Sequence, residues 1–164
     1  MSKPNRPLRS PCESSGRPRT FFVTSSTWER RSLFQSERMA RLFLEVLSGY
    51  RAQRRYLLHA FVLMPDHFHA LISVPAGISL ERAMQLIKGG FSYRAKKELG
   101  IQGEIWQRGF SDEYVADAAG FRARIVYVRE NPVRAGLARV PEAFPYGSAG
   151  SGIEVDAMPE HLRG

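Results

Sequence analysis

Cysteine and histidine are scarce in this chain of 164 residues, and both shortages limit its chemistry. The one cysteine, Cys12, excludes an internal disulfide and any metal site built on a cysteine cluster. Because there are four histidines in all, a bound metal must combine them with oxygen donors. The chain also has no run of about 18 apolar residues and no apolar signal core at its N-terminus. We therefore expect a soluble cytoplasmic protein that acts without a membrane.

Positive charge outweighs negative charge along the whole sequence. There are 24 Lys and Arg residues against 16 Asp and Glu, which gives a formal net charge of +8 and a pI near 10.1. Only four of the basic residues are lysines. Guanidinium groups bind phosphate bidentately and stack on bases, so this bias favours nucleic acid as the partner. The alternative interpretation is that the charge only keeps the protein soluble.

Three regions differ in composition. Residues 1–18 hold four prolines, four basic residues and almost nothing apolar, which predicts a basic flexible arm. Residues 19–148 carry the apolar periodicity of a single folded domain. Residues 149–164 are predicted to form a polar C-terminal tail.

The first half of the domain alternates strand and helix signals. Residues 20–28 are β-branched and aromatic, which predicts a strand. Ser36 fits an N-cap, and apolar residues follow it at helical spacing. Residues 56–64 and 67–74 are two apolar runs separated only by a Pro-Asp turn, which is typical of a β-hairpin.

The second half of the domain predicts two more helices around a returning strand. Ser79 can cap a helix that Gly89 and Gly90 weaken in its middle. Its apolar face consists of Leu80, Ala83, Met84, Ile87, Phe91 and Ala95. Part of residues 105–115 is expected to return as a strand, and Asp117 opens a last helix that Pro132 should end. This order predicts an α+β fold, with an antiparallel sheet, helices packed on one face and the other face available for a site.

His67 and His69 stand two residues apart on the strand that follows the Pro-Asp turn. Side chains two apart on a strand point to the same face, so both imidazoles project together while Phe68 points into the core. Two imidazoles so placed can share one cation. The alternative is a pair of surface histidines with no ligand.

The other histidines are poorly placed to complete such a site. His59 precedes His67 by eight residues, near the base of the hairpin, and His161 lies in the tail. A third ligand is therefore expected to be an oxygen. Oxygen donors with two nitrogens favour a hard ion such as Mg²⁺ or Mn²⁺, which enzymes use to polarise phosphate.

Tyr127 and Asn131 form a second candidate pair on the last predicted helix. They are four residues apart, so they lie on one helix face, one turn from each other. A phenol attacks as a nucleophile only when a cation or a base activates it. The spacing alone leaves two interpretations, a catalytic tyrosine or a core tyrosine followed by a helix-ending Asn-Pro.

Four segments together resemble the REP-associated tyrosine transposases, a branch of the single-tyrosine HUH transposases. The segments are FVLMPDHFH at 61–69, IKGGF at 87–91, IWQRGF at 105–110 and YVRENPVRAGL at 127–137. They occur in the family's order, and the resemblance spans about residues 19–148. Several motifs in order are far more specific than any one of them.

The resemblance implies an RRM-like, ferredoxin-like antiparallel sheet and assigns roles to four residues. His67 and His69 match the histidine pair of the HUH motif as metal ligands. Tyr127 matches the nucleophile. Asn131 matches the third metal ligand, where the wider superfamily commonly has glutamine. Tyr93, the other tyrosine in a basic helix, is the reserve nucleophile.

The implied reaction is metal-dependent cleavage of single-stranded DNA at a REP-type hairpin. Tyr127 would attack the phosphodiester to give a 5′-phosphotyrosine and a free 3′-hydroxyl, and a second 3′-hydroxyl could then join strands. Lys88, Arg82 and Lys96 on the helix after Ser79 are expected to contact DNA phosphates. The alternative for these three is a solvated basic face.

Two rival functions compete with this expectation. One is a non-catalytic hairpin DNA-binding protein derived from a transposase, against which the intact His67, His69 and Tyr127 argue. The other is a small metal-dependent hydrolase that activates water, against which the scarcity of histidine argues. We expect a monomer rather than a homodimer, acting at the nucleoid in the cytoplasm.

Overall fold

The computed structural model describes residues 16–163, so the predicted arm of residues 1–18 lies almost wholly outside the described residues. The chain folds in the order β1 (Arg19–Ser26), α1 (Glu37–Ala52), β2 (Leu57–Met64), β3 (His67–Val74), α2 (Leu80–Leu99), β4 (Ser111–Val115) and α3 (Ala118–Arg134). Short 3-10 turns lie at Trp28–Arg30, Leu33–Gln35, Pro141–Ala143 and Glu160–Leu162. No described helix is long and apolar enough to cross a membrane.

The four strands form one antiparallel sheet in the order β2-β3-β1-β4. The inner strand β3 pairs with β1 on one side and β2 on the other. Its residues Phe68, Ala70 and Ile72 belong to one core cluster, whereas Leu71 belongs to a second cluster. The sheet is therefore buried on both faces, and the expected α+β fold is confirmed.

Helices α1 and α2 cover the first face of the sheet. Both begin where the sequence predicts, because the Ser36 hydroxyl accepts from the Met39 amide at 3.3 Å and the Ser79 hydroxyl from the Arg82 amide at 3.1 Å. All six residues of the predicted apolar face of α2 are buried: Leu80, Ala83, Met84, Ile87, Phe91 and Ala95. This face follows directly from helical periodicity.

The two glycines in the middle of α2 differ in role. A Cβ on Gly90 would lie 2.8 Å from the hydroxyl of Tyr50 in α1, whereas a Cβ on Gly89 would meet no described atom within 4 Å. Gly90 therefore lets Tyr50 pack against the backbone of α2. That contact offsets part of the roughly 1 kcal/mol that a glycine costs in a helix.

Helix α3 departs from the expectation that all helices pack on one face. Its buried residues Phe121 and Val128 join Phe22 and Leu71 in the second core cluster, on the opposite face of the sheet. The reason lies in the strands, which carry apolar residues at both alternating positions, so that each face needs a cover. Because the ring of His69 stacks on Phe22, α3 covers the face that carries the histidines.

Pro132 does not end α3, contrary to the expectation, because the helix continues to Arg134. A proline gives up one helical hydrogen bond, since it has no N–H. The next turn is nevertheless closed by the Ala135 amide, which donates to the Asn131 carbonyl at 3.1 Å. The continuous helix keeps Tyr127 and Asn131 one turn apart on one side.

The end of the predicted domain and the predicted polar tail of residues 149–164 lie along the outer edge of β2. The Leu63 amide donates to the Tyr146 carbonyl at 2.8 Å, and the Asp156 amide donates to the Leu58 carbonyl at 2.7 Å. Further along, Leu162 is buried in the second core cluster. The C-terminal segment thus covers an edge strand whose backbone groups would otherwise face solvent.

Candidate active site

His67 and His69 open β3 and project from the same face of the sheet, as their spacing predicts. Their ring centroids are 4.8 Å apart. Phe68 between them points to the other face, where its ring lies 4.8 Å from that of Phe43. The two imidazoles therefore stand together at the end of the sheet next to the Pro-Asp turn.

His69 is held in place by strand β1. Its Nδ1 lies 2.7 Å from the hydroxyl of Thr24, the residue opposite it in the strand register. Its ring also stacks on Phe22, with centroids 5.2 Å apart. Burial above all, and then the positive charge of His67, lowers the pKa of His69 to about 3. The imidazole is therefore neutral near pH 7 and, with Nδ1 bonded to the hydroxyl, offers Nε2 to a cation.

His67 is held by the residue that precedes it. Its Nδ1 lies 2.7 Å from Oδ1 of Asp66, whose other carboxylate oxygen accepts from Nε of Arg30 at 3.0 Å. Burial raises the pKa of Asp66, but the hydrogen bond from His67 and the charge of Arg30 outweigh it and hold that pKa below its ordinary value. The charged carboxylate orients His67 through Nδ1, which leaves Nε2 to a ligand.

A left-handed turn brings Arg30 to this end of the sheet. Glu29 and Arg30 both have a φ of 55°, a region that residues other than glycine rarely adopt. The Thr27 amide anchors the turn by donating to the Asp66 carbonyl at 2.9 Å. The Arg30 guanidinium then donates to Asp66 and to the Ser26 hydroxyl at 2.9 Å. Strain of this kind persists where the surrounding structure enforces it.

Tyr127 reaches the histidines from α3. Its ring centroid lies 5.5 Å from that of His69 and 5.6 Å from that of Phe22, edge-on to both. The side chain is half-buried, and its hydroxyl has no hydrogen-bond partner among residues 16–163. The ring that carries this oxygen therefore lies beside His69, and the oxygen is not committed to the fold.

Asn131 lies one helical turn, about 5.4 Å, beyond Tyr127 on α3. The helix runs along the sheet face from Phe121, whose ring lies 5.0 Å from that of His59, to Tyr127 beside His69. Asn131 therefore continues toward the start of β3. Its side chain is half-buried. An amide oxygen in this place can complete a donor set of two imidazoles.

This donor set suits a hard divalent cation such as Mg²⁺ or Mn²⁺. Two Nε2 atoms and one amide oxygen leave positions for water or phosphate, which such ions retain. Among the described residues, no group of three or more His, Cys, Asp or Glu side chains could hold a metal ion. A third protein ligand at the histidine pair would thus have to be of another type, such as the Asn131 amide.

The three basic residues expected to contact DNA lie on α2, across the sheet from the histidine pair. The Lys88 ammonium donates to the carbonyls of Gln107 at 3.1 Å and Gly109 at 2.6 Å, so it ties the loop before β4 to the helix. Arg82 and Lys96 are exposed, about 21 Å apart along the helix axis. The structure does not gather these three residues with the histidines.

The remaining histidines and the reserve nucleophile also lie apart. His59 and His161 are each hydrogen-bonded to a hydroxyl at the far end of the sheet. Tyr93 is 65% exposed on α2 and so lies on the other side of the sheet. Of the two candidate tyrosines, Tyr127 therefore shares a face with His69.

Three residues around the pair were missing from the sequence prediction: Thr24, Asp66 and Arg124. Asp66 directly precedes His67, and a carboxylate beside a histidine ligand is itself a signal. Arg124 stands three residues before the tyrosine on a helix, hence on the same side, and its guanidinium carbon lies 5.6 Å from that ring. Thr24 carries no local signal, because only strand pairing brings it to its histidine.

Comparison with known proteins gives a family and two curated relatives. The family described as "Transposase IS200 like" matches residues 21–131. A provisionally named REP-associated tyrosine transposase of Haemophilus influenzae is 25% identical over 115 residues, which cover 64% of this chain and 65% of that protein. The REP-associated tyrosine transposase of Escherichia coli K12 is 24% identical over 130 residues, which cover 79% of this chain and 75% of that protein. The matched part thus spans between 65% and 75% of the length of these relatives.

Two solved structures share the fold. The structure of a REP-associated tyrosine transposase bound to a REP hairpin has a TM-score of 0.67 at 22% identity, and the match covers 98% of this chain and 93% of that chain. The crystal structure of a provisionally assigned transposase of Deinococcus radiodurans has a TM-score of 0.52 at 20% identity, and the match covers 79% of this chain and 97% of that chain. The family match runs from β1 to Asn131 and includes the histidine pair and Tyr127. The chain belongs to the IS200-like transposase family.

Proposed function

We propose that the chain is a metal-dependent tyrosine transposase that cuts and rejoins single-stranded DNA at hairpins through a covalent 5′-phosphotyrosine. The observation that carries the proposal is the arrangement around His69. The imidazoles of His67 and His69 use Nδ1 within the protein and keep Nε2, and the Tyr127 ring lies 5.5 Å from that of His69. A nucleophile beside a cation site is what phosphodiester transfer requires.

His67, His69 and Asn131 would hold the cation, Mg²⁺ or Mn²⁺. When bound, the ion would withdraw charge from the phosphodiester and lower the cost of adding a nucleophile to phosphorus. Thr24 and Asp66 prepare the site, because each fixes one imidazole ring through Nδ1. The two Nε2 atoms are therefore oriented before an ion arrives.

Tyr127 would supply the nucleophile. Its hydroxyl oxygen forms a bond to phosphorus while the bond from phosphorus to the 3′ oxygen breaks. The phenolic proton passes to solvent, and the departing 3′ oxygen takes up a proton. The products are a 5′-phosphotyrosine and a free 3′-hydroxyl. Because no water is consumed, a second 3′-hydroxyl can reverse the step and join strands without ATP.

A DNA hairpin with a single-stranded flank is the proposed substrate. Two curated relatives are named for REP elements, and one solved relative is bound to a REP hairpin. The net charge of +8 favours a polyanionic partner. Since residues 19–148 include every residue of the proposed site, we assign a monomer as the acting unit, working on nucleoid DNA in the cytoplasm.

Arg82, Lys88 and Lys96 are proposed as secondary phosphate contacts. Because they lie across the sheet from the histidines, they would contact DNA away from the cleaved phosphodiester and add affinity rather than orientation. Lys88 already donates to two loop carbonyls and should contribute least.

The test is the formation of a covalent adduct. The chain is mixed with Mn²⁺ and a pool of hairpin oligonucleotides with randomised single-stranded flanks, and the products are separated under denaturing conditions. We expect cleavage and a denaturation-resistant protein–DNA adduct, and neither in EDTA. Hairpin binding without cleavage would favour the non-catalytic DNA-binding protein, and hydrolysis without an adduct would favour the metal-dependent hydrolase.

Two matched tyrosine variants locate the nucleophile. Tyr127→Phe removes one oxygen and keeps the ring that packs against Phe22 and His69, so the fold and hairpin binding should survive while the adduct disappears. Tyr93→Phe should keep the adduct. An adduct that persists in Tyr127→Phe and is lost in Tyr93→Phe would move the nucleophile to α2.

A further inference from the structure

Arg124 of α3 lies beside both groups of the proposed reaction. Its guanidinium carbon is 5.6 Å from the ring centroid of Tyr127 and 4.6 Å from that of Phe22. Phe22 in turn stacks on His69, with ring planes 19° apart. The guanidinium therefore lies against two rings, Phe22 and Tyr127, which we call the aromatic shelf, and Phe22 connects this shelf to His69, a proposed metal ligand.

Arg124 is close enough to the nucleophile to act on its phosphate. A guanidinium whose carbon lies 5.6 Å from the Tyr127 ring can attract an anion bound beside that ring. Arg30 is already engaged by Asp66 and Ser26, so its guanidinium serves to fix the carboxylate.

The partner of Arg124 is replaceable. Its Nη2 donates to the carboxylate of Glu113 in β4, and the two side chains are 27% and 54% exposed. Ion pairs this exposed contribute little to stability, so exchange for another anion costs little. A guanidinium stacked on a ring still directs N–H donors outward in its own plane, where a phosphate can accept them.

We propose that Arg124 binds a non-bridging oxygen of the phosphodiester that Tyr127 attacks, and that this phosphate replaces the carboxylate of Glu113 when DNA enters. The inference rests on the proposed function, because the reaction defines which phosphate is meant. Arg124 holds that phosphate near the phenol oxygen and offsets the charge that develops as the oxygen adds to phosphorus. Glu113 keeps the guanidinium on the aromatic shelf until the strand arrives.

The test is a double-mutant cycle between Arg124 and single phosphates. The Tyr127→Phe chain is titrated with hairpin strands in which one phosphate at a time is replaced by an uncharged methylphosphonate. The titrations are done in EDTA, so that no cation contacts the same phosphate. At the position that the wild-type chain cuts, the replacement should weaken binding about 10-fold, and it should have no effect once Arg124→Gln is added. Arg122→Gln removes an exposed charge from the same helix and should leave the methylphosphonate effect intact.

Two more variants separate phosphate binding from a structural role. Arg124→Lys keeps the charge without the planar fork, so it should restore only part of the affinity and of the single-turnover rate that Arg124→Gln loses. Glu113→Gln removes the competing carboxylate and should raise the affinity about two- to five-fold. If Glu113→Gln lowers the affinity as much as Arg124→Gln does, the DNA phosphate does not replace the carboxylate of Glu113 on Arg124. The pair would then only support the fold.

The outcomes also distinguish this inference from the proposed function. In one case the wild-type chain cleaves while the effects of Arg124→Gln and of the methylphosphonate add at every phosphate, or couple at a phosphate other than the cleaved one. Either result would overturn the role of Arg124 and leave the proposed function standing. Coupling to one phosphate without any cleavage would overturn the proposed function and leave Arg124 a phosphate contact of a DNA-binding protein.

Discussion

Histidines at the two ends of one sheet face are used in different ways. At one end, which we call the His67 end, His67 and His69 each bond the protein through Nδ1 and keep Nε2. At the other, the His59 end, His59 uses both nitrogens, with Nδ1 3.0 Å from the Asp156 carbonyl and Nε2 2.7 Å from the Ser73 hydroxyl. The number of ring nitrogens committed to the fold thus separates His67 and His69 from His59.

The two ends also differ in what covers them. The C-terminal segment closes the His59 end, where Asp156 accepts from Arg51 at 2.7 and 3.0 Å and from the Leu58 amide at 2.8 Å. At the His67 end, Tyr127 is half-buried and the Arg30 side chain is 61% exposed. The C-terminal segment therefore covers His59, whereas side chains at the His67 end stay partly exposed.

The largest expected effect comes from disrupting the His67 end. His67→Ala removes one Nε2 and should slow Mn²⁺-dependent cleavage by about 1000-fold or more, while hairpin affinity changes less than about three-fold. His59→Gln should do the opposite: it leaves cleavage intact and lowers the free energy of unfolding by about 1–3 kcal/mol, because buried hydrogen bonds lose their partner. Cleavage time courses and urea unfolding measure the two effects. Normal cleavage by His67→Ala, or loss of cleavage in His59→Gln, would contradict the assignment of cleavage to the His67 end and stability to the His59 end.

The second largest effect is expected from removing the charge of Asp156, which docks the C-terminal segment at the His59 end. Asp156→Asn breaks the two-bond contact with Arg51 and should lower the free energy of unfolding by about 1.5–3 kcal/mol without slowing cleavage. Glu154→Gln is the control, because Glu154 is 83% exposed and 3.6 Å from Arg51, and it should change stability by less than about 0.5 kcal/mol. Equal losses in both variants would mean that overall charge, rather than docking, stabilises this end.

Acid should weaken the His59 end more gradually. Burial lowers the pKa of His59, so the native state holds it neutral while the unfolded chain takes up a proton below about pH 6.5. The unfolded state then binds more protons, and the free energy of unfolding should fall as the pH drops through this range, by up to about 1.4 kcal/mol per pH unit for one proton.

His59→Gln should make this pH profile shallower when both chains are unfolded in EDTA. His161, whose pKa burial also lowers, adds to the slope in both chains. Burial raises the pKa of Asp156, but the hydrogen bonds from Arg51 and the Leu58 amide and the charge of Arg51 together hold that pKa below its ordinary value. The contribution of Asp156 is therefore lost only below about pH 4. Identical slopes in the two chains would show that folding does not change the pKa of His59.

The smallest effect is expected on the helix across the sheet. Salt dependence is measured as the slope of the logarithm of hairpin affinity against the logarithm of salt concentration. Arg82→Gln and Lys96→Gln should each make this slope shallower by at most about 0.7–0.9. Neither should change the cleavage rate at saturating DNA. Titrations at several salt concentrations measure the slope. If neither variant changes it, these residues lie outside the DNA interface, and the interface is confined to the face that carries the histidines.

Features of the site that depend on short-range geometry could be predicted from the sequence. The period of two along β3 puts His67 and His69 on one face, and helical spacing puts Tyr127 and Asn131 one turn apart. The N-caps at Ser36 and Ser79 follow from the same kind of reasoning, since each depends on residues a few positions away. Such features need no knowledge of how the elements dock.

Features that depend on docking could not be predicted in the same way. The position of α3 over the histidines follows from apolar residues on both faces of the strands, which a search for one apolar face overlooks. The bond between Thr24 and His69 joins residues 45 positions apart and needs the β1–β3 register. The bond from His59 to the Asp156 carbonyl spans 97 positions and needs the C-terminal segment in place. A polar composition alone therefore did not reveal that this segment completes the His59 end.

The central claim is that Tyr127 joins DNA covalently beside a cation held by His67 and His69. The most direct measurement is protease digestion of the protein–DNA adduct, followed by mass spectrometry of the peptide that carries the nucleotide. The account predicts a 5′-phosphoryl nucleotide on Tyr127 in Mn²⁺ and no modified peptide in EDTA. A nucleotide on Tyr93 or on any other residue, or an adduct that forms equally in EDTA, would contradict it.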